Sequence, residues 1–384
     1  LKQNYDVIIC GAGPAGCTCA LAMGRSGLKI ALVDKGTGRE DKVCGGALAA
    51  YIPKVLNTIG SEYAGSYNEI GNKVAVNTIR VFSPGARSVS FTFQEYGHIM
   101  KRSDFGTFMT GLVSKLPSVD FLTDTRIVDV RIGAEGVLAI TDKNSELKAG
   151  LIIGCDGANS AVAKKLTANK AHLKHTSTAV RGYFKNVKEV TENVFELHYI
   201  KKAIPGYLWI FPLPGDIANV GLGMPSDVVT REKINLKNEL LNSISAIPYL
   251  SERFAQAEQL GETGGYVLPL GSRKVTISGE RFMLCGDAAS FVDPFTGEGI
   301  GQAMVSGRYA GWQAIKCFEN NDFSADFMKQ YDITVYRKLW AENRRRNFVR
   351  KLTGRRHWVY NSAVFMASRS RLVHKAISKI MWNG

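Results

Sequence analysis

The chain has 384 residues, 45% of them hydrophobic and 22% charged, with 39 glycines, a composition that excludes disordered, collagenous and fibrous classes. At roughly 100–200 residues per domain, this length predicts two or three domains. The net charge of +15 is concentrated between Arg337 and Gly384, where thirteen Lys and Arg face one acid, Glu342, so a cationic tail on a nearly neutral body calls for an anionic partner, either phospholipid headgroups or nucleic acid.

Tyr5 to Cys10 is a short apolar run that fits a buried parallel strand. Gly11-Ala12-Gly13-Pro14-Ala15-Gly16 and a helical stretch to about Ser26 and Gly27 follow it, then a second strand from Leu28 to Val33 that ends at Asp34 and Lys35. This is a βαβ unit carrying G-x-G-x-x-G. Gly11 permits the tight turn, Gly13 lets the backbone approach a pyrophosphate, and Gly16 lets helix and strand pack closely. The helix N-terminus offers free N–H groups to phosphates, and Asp34 can accept from an adenosine ribose. The motif by itself does not separate NAD from FAD.

Next comes Asp41-Lys42-Val43-Cys44-Gly45-Gly46, a thiol on a turn where backbone can approach a planar ring; a free Cys is otherwise a small buried hydrophobe. Alternating patterns at Val74–Val76, Val89–Phe93 and Val194–Leu197 predict an antiparallel sheet, and Ile127 to Thr141 predicts a hairpin. Lys101-Arg102 opens a helical pattern, and Leu151 to Cys155 is a strand ending in Asp156-Gly157. Tyr207, Trp209 and Phe211 put three aromatics on one strand face, ahead of Asn219-Val220-Gly221-Leu222-Gly223. Such a face fits core packing equally well, or a flat apolar slot for a hydrocarbon chain. The strand Arg281 to Cys285 ends in Gly286-Asp287, and Asp293-Pro294-Phe295-Thr296-Gly297-Glu298-Gly299-Ile300 leads into a helix. The seven cysteines (Cys10, Cys17, Cys19, Cys44, Cys155, Cys285 and Cys317) show neither a disulfide framework nor metal-ligand spacing, so no metal is expected and a reducing cytoplasm fits. There is no run of about 18 apolar residues, and the early strand pattern leaves no room for a signal peptide.

In this order the segments resemble the flavoprotein monooxygenase superfamily of the para-hydroxybenzoate hydroxylase fold, which joins an N-terminal G-x-G-x-x-G to an internal D-G and a late G-D. The K-x-C-G-G segment, the Y-x-W-x-F-P…N-V-G-x-G segment and the G-E-G-I at Gly297 to Ile300 resemble the geranylgeranyl reductase family more narrowly. Flavin halogenases show W-x-W-x-I-P where this chain has Tyr207 and Phe211, and aromatic hydroxylases are not expected to carry both segments.

The resemblance implies an α/β fold: a Rossmann-like FAD-binding domain, an antiparallel-sheet substrate domain and a C-terminal helical segment. The FAD-binding domain is expected to be discontinuous, from residues 1–70, 98–160 and 275–330. The substrate domain takes 71–97 and 161–274, and the basic segment 331–384. FAD is implied as cofactor, with Gly11, Gly13, Pro14, Ala15 and Gly16 at the pyrophosphate, and Asp34 and Lys35 at the adenosine ribose. Cys44, Gly45, Gly46 and Arg102 are implied beside the cofactor, and Gly286 and Asp287 at the ribityl chain. Asp156 is expected to hold its own loop, and Pro294, Gly297, Glu298, Gly299 and Ile300 to surround the ring.

The activity implied is saturation of C=C bonds in a prenyl lipid or prenylquinone. Cys44 is then the candidate proton donor, with a positioned water or the flavin as alternatives, since a thiol is a weak acid for this task. Tyr207 and Trp209 would stabilise positive charge through their faces. With no second G-x-G-x-x-G, electrons come from transiently docked NADPH or from a ferredoxin, a reductant protein. The alternatives are a monooxygenase or halogenase, and a flavoprotein that only binds membrane or nucleic acid.

From Phe323 the pattern is helical, with Phe327, Tyr331, Val335 and Leu339 on one face. Arg344-Arg345-Arg346, Arg350-Lys351 and Arg355-Arg356 then interleave with Phe348, Leu352, Trp358, Val359 and Tyr360. That mixture fits a helix lying in an anionic membrane interface at the cytoplasmic face, or else a solvated basic cap. Nothing else resembles a nucleic-acid-binding module, which sets that partner below the membrane. The sequence leaves the oligomeric state open.

Overall fold

The computed structural model describes residues 3–382, so the outermost residues of the first and last expected segments lie outside it. A six-stranded sheet runs in the order Ser278–Gly279, Phe282–Leu284, Leu151–Gly154, Val7–Cys10, Ile30–Val33, Val119–Leu122. All neighbours are parallel except the first pair. The strands Val7–Cys10, Ile30–Val33 and Leu151–Gly154 are buried at every residue, as in a sheet covered on both faces. Helix Pro14–Met23 packs against helix Ile300–Asn320 at backbone distance: a Cβ at Gly307 would stand 2.2 Å from the Ala15 carbonyl oxygen. The expected hairpin is present as Ile127–Gly133 and Gly136–Thr141, within a separate four-stranded sheet.

The third sheet has eight strands, in the order Glu258–Pro269, Thr176–Lys185, Ile217–Pro225, Tyr207–Leu213, Val194–His198, Val74–Phe82, Ser88–Ile99, Ala47–Leu48. It departs from the antiparallel expectation at one place, where Val194–His198 pairs parallel with Val74–Phe82. More than a hundred residues separate these strands, so the returning chain is free to enter the sheet in the same direction. Along Tyr207–Leu213 the odd positions Tyr207, Trp209 and Phe211 face one apolar cluster. Leu208 and Ile210 face another, built with helices Leu236–Ala246 and Pro248–Phe254.

Helix Ala325–Thr353 buries Met328, Tyr331, Val335 and Leu339, close to the expected stripe, with Phe327 half-buried at its edge. Helices His357–Arg369 and Arg371–Met381 then cross the Val74–Ile99 strand pair. Asn361 accepts from the Gly85 N–H at 2.8 Å, and Trp382 stacks on Phe93 with centroids 4.4 Å apart. The basic tail is therefore not an appendage. Arg346 and Asn343 are fully buried, and the Arg346 guanidinium is ion-paired with Asp293.

Candidate active site

Between the parallel sheet and the eight-stranded sheet lies a cavity of about 1110 Å³, beyond the ~300–1,000 Å³ usual for a drug-sized ligand. At one end the Val7–Cys10 strand runs into the glycine turn. Gly11 has φ +100°, and a Cβ there would stand 2.4 Å from the Cys155 carbonyl oxygen. At Gly13 the space toward the cavity is open, with only the Arg102 guanidinium 3.9 Å from where a Cβ would be. Asp34 braces the turn, accepting from the Ala12 N–H at 2.6 Å and the Gly36 N–H at 2.9 Å.

Asp156 accepts from the Ala161 N–H at 2.6 Å, which fixes the loop ahead of helix Ala161–Leu166. Its other carboxylate oxygen is buried without a partner, and burial raises its pKa. Asp287 is met by Lys42 at 3.5 Å and by the Tyr266 hydroxyl at 3.3 Å, and the Lys42 ammonium also lies 4.1 Å over the Tyr266 ring. Burial works to lower Lys42, but Asp287 and Tyr266 outweigh it and hold the ammonium above its ordinary value.

The other end is aromatic. Gly45 lies against the Trp209–Phe211 face, where a Cβ would come within 3.0 Å of the Phe211 ring. Asn219, fully buried, accepts from the Trp209 indole N–H and donates to the Cys44 carbonyl, both at 2.9 Å. The Cys44-Gly45-Gly46 turn is thereby fastened onto the aromatic strand. The Tyr207 hydroxyl donates to the Thr296 carbonyl, tying that strand to the loop before helix Ile300–Asn320. Within the loop one Asp293 oxygen accepts from the Phe295 and Thr296 N–H groups, and the other receives Arg346. Glu298 accepts from the Gly301 N–H at 2.6 Å and from the Tyr51 hydroxyl at 3.2 Å.

Of the residues expected at the site, Gly11, Gly13, Pro14, Ala15, Asp34, Lys35, Cys44, Gly45, Gly46, Arg102, Asp156, Tyr207, Trp209, Gly286, Asp287, Pro294, Gly297, Glu298, Gly299 and Ile300 all line this cavity. Gly16 does not line it. A Cβ there would stand 1.8 Å from the Gly11 carbonyl, so Gly16 serves the packing of helix on turn. Sequence reasoning missed Lys42, Tyr266, Asn219, Arg346 and Arg350. Lys42 and Asn219 sit inside the motifs that carry the resemblance, and their spacing to Cys44 and Trp209 was the available signal.

A family model for an FAD binding domain matches residues 4–334. The chain belongs to the FAD-binding domain family. Its relatives include the digeranylgeranylglycerophospholipid reductase of Picrophilus torridus, 27% identical over 92% of this chain and 88% of that one. The protein of the same name from Thermoplasma acidophilum is 27% identical over 91% and 87%. These relatives bear out the resemblance to geranylgeranyl reductases. Among solved structures, a geranylgeranyl bacteriochlorophyll reductase-like protein from Thermoplasma acidophilum shares the fold, with a TM-score of 0.83 at 23% identity over 99% of this chain and 97% of that one. A flavin-dependent brominase shares it with a TM-score of 0.79 at 18% identity, over 99% and 93%.

FAD is the cofactor of this family, and the site fits it. Asp156, one of whose oxygens is buried without a partner, is among the lining residues, the Gly13 backbone is open to a phosphate, and the volume holds a dinucleotide with room beside it.

Proposed function

We propose that the protein is an FAD-dependent reductase that saturates C=C double bonds of a prenyl lipid or prenylquinone. One observation carries this reading: besides the glycine turn and the carboxylates, the same cavity is lined by Val76, Ile79, Leu197, Trp209, Phe211 and Met381, an apolar wall of the kind that holds a hydrocarbon chain. The names of the relatives support the same substrate class.

Residues 11–15 and Arg102 would hold the cofactor's pyrophosphate end, Asp34 and Lys35 its adenosine ribose, Asp287 its ribityl chain, and Gly297–Ile300 its ring. When bound and reduced, FAD supplies a hydride. An isolated trisubstituted alkene is not polarised, so positive charge develops on one carbon as the other is protonated. Tyr207 and Trp209, which line the cavity together with Cys44, would stabilise that charge through their rings. The apolar walls exclude water, which would trap such a cation.

The segments 1–70, 98–160 and 275–330 form the cofactor module in this reading, 71–97 and 161–274 the substrate module, and 331–384 the membrane-facing module. No helix among the described residues is long and apolar enough to cross a membrane. We place the protein peripherally on an anionic bilayer, with NADPH or a ferredoxin as electron donor.

The experiment is to reduce the purified FAD-loaded protein anaerobically with dithionite, add geranylgeranyl lipids or menaquinone, and look by mass spectrometry for a gain of two hydrogens. Saturation is expected. No saturation of any prenyl substrate, together with oxygen-dependent product from an aromatic one, would overturn the reading.

A further inference from the structure

Protonating an unactivated alkene needs an acid that faces the slot and still holds its proton at neutral pH. Several candidates there are engaged otherwise. The Tyr207 hydroxyl donates to the Thr296 carbonyl, and burial raises its pKa far above neutrality. His98 pairs through Nδ1 with the Tyr67 hydroxyl at 3.0 Å, and burial, aided by Lys73, lowers it to about 4, so at neutral pH the ring lacks the imidazolium proton that could act as an acid. Asp293 is committed to Arg346. The Cys44 sulfur accepts from the Gly46 N–H at 3.4 Å, which leaves its S–H free, but thiols as a class are weaker acids than carboxyls.

Glu298 differs from all of these. It lines the cavity one residue beyond Gly297, where a Cβ would lie 3.4 Å from the Tyr207 hydroxyl. Among the described residues no Lys or Arg forms an ion pair with it, because the nearby guanidinium of Arg346 is spent on Asp293 and Glu342. Its carboxyl is held in place by the Gly301 N–H and the Tyr51 hydroxyl.

We propose that Glu298 is the acid that delivers the proton to the substrate double bond, an assignment that rests on the reductase reading. The O–H bond of Glu298 breaks and a C–H bond forms at one alkene carbon, while the hydride supplied by reduced FAD forms the second C–H bond at the other. The alkene gains two hydrogens, the cofactor is oxidised, and the carboxyl is left ionised until water reprotonates it while NADPH or two turns of a ferredoxin return two electrons to the cofactor.

Electrostatics agree with the geometry. Burial pushes the Glu298 carboxyl up to about 7; the Gly301 N–H and Tyr51 draw it down, and the Asp293 carboxylate adds to the rise. An acid tuned near the working pH combines sufficient occupancy with sufficient driving force for proton transfer. Tyr51, Asp293, Glu342 and Arg346 are the charged or titratable groups that set this balance.

The test compares wild type with Glu298→Gln, which keeps both hydrogen-bonding positions, and with Tyr51→Phe. Infrared spectra of the FAD-loaded proteins without lipid should show a protonated-carboxyl band that fades as pH rises through about 7 in wild type and is missing from Glu298→Gln. Flavin absorbance should be retained. Saturation should fall about 10²- to 10⁴-fold in Glu298→Gln with little change in KM, and Tyr51→Phe should shift the pH midpoint of turnover upward.

A wild-type rate in Glu298→Gln, or the same band fading through about 7 in it as in wild type, overturns the assignment alone. Wild type that shows the band but saturates no prenyl lipid overturns the reductase reading and this role with it.

Discussion

Asn219 shows how one buried amide can join two distant motifs. It holds the Trp209 indole with its oxygen and the Cys44 backbone with its nitrogen, so the aromatic strand and the thiol turn keep one relative position. Gly45 makes the close approach sterically possible. His98, on the same cavity, illustrates the cost of a half-buried imidazole. The Tyr67 hydroxyl shares a hydrogen bond with Nδ1 of the neutral ring. With the folded value lowered from 6.5 to about 4, the unfolded chain binds the proton more readily than the native one between those pH values. Stability from this group is therefore fully present above about 6.5 and is lost as pH falls through about 4. We expect the unfolding free energy of wild type to drop relative to His98→Gln across that window, by about 1–2 kcal/mol after allowing for the partial exposure of the ring. Denaturant titrations at a series of pH values measure it; parallel curves for the two proteins would contradict it.

The helix Ala325–Thr353 does two jobs with two faces. Its inner face sends Arg346 into the core to meet Asp293, the residue whose carboxylate shapes the loop over the ring end of the cavity. Removing one partner of a buried pair strands the other charge, which costs about 3–5 kcal/mol. Arg346→Ala should lose stability of that order and release FAD faster, and adding Asp293→Asn should restore part of it by removing the stranded charge. Chemical denaturation and the rate of flavin release report both. Cutting the chain before Asn343 removes the same strut, so such a truncation should also loosen FAD.

In the sequence, Arg346 was one of three consecutive arginines with nothing local to mark it as buried. Its role depends on a loop more than fifty positions earlier, and pattern reading cannot supply that proximity. The βαβ unit, the hairpin and the apolar stripe of this helix were legible because each is fixed by residues close in sequence. The parallel pairing of Val194–His198 with Val74–Phe82 was not, since a long crossover decides it. The site itself was largely legible because its motifs lie at strand ends, while the residues that brace it, Lys42, Tyr266 and Asn219, become visible only in three dimensions.

At the scale of the molecule, the Lys and Arg residues from Arg337 to Lys379 are exposed, apart from Arg346 and Arg350. Phe348, Leu352 and Trp358 are 59–65% exposed, and Phe348 and Leu352 share a face at i, i+4 spacing. Arg344, Arg345, Lys351 and Arg356 are exposed around them. Arg350, on the opposite side of the same helix, lines the cavity. A bilayer against the outer face would thus lie about one helix diameter, ~10 Å, from the slot. Apolar burial and charge are both needed for stable interfacial binding. Each basic residue near an anionic leaflet contributes about 1 kcal/mol, and a fully inserted large side chain about 1.5–3 kcal/mol. The protein should therefore bind vesicles containing phosphatidylglycerol, bind phosphatidylcholine vesicles far more weakly, and be released by salt. Replacing Phe348, Leu352 and Trp358 together by Ser should weaken vesicle binding at least tenfold, since about 1.4 kcal/mol is a factor of ten, while leaving flavin absorbance intact because none of the three lines the cavity. Co-sedimentation at two salt concentrations distinguishes the outcomes. Equal binding by the triple variant would mean that these side chains do not enter the bilayer, and equal binding to both lipid compositions would mean that the basic tail does not read charge.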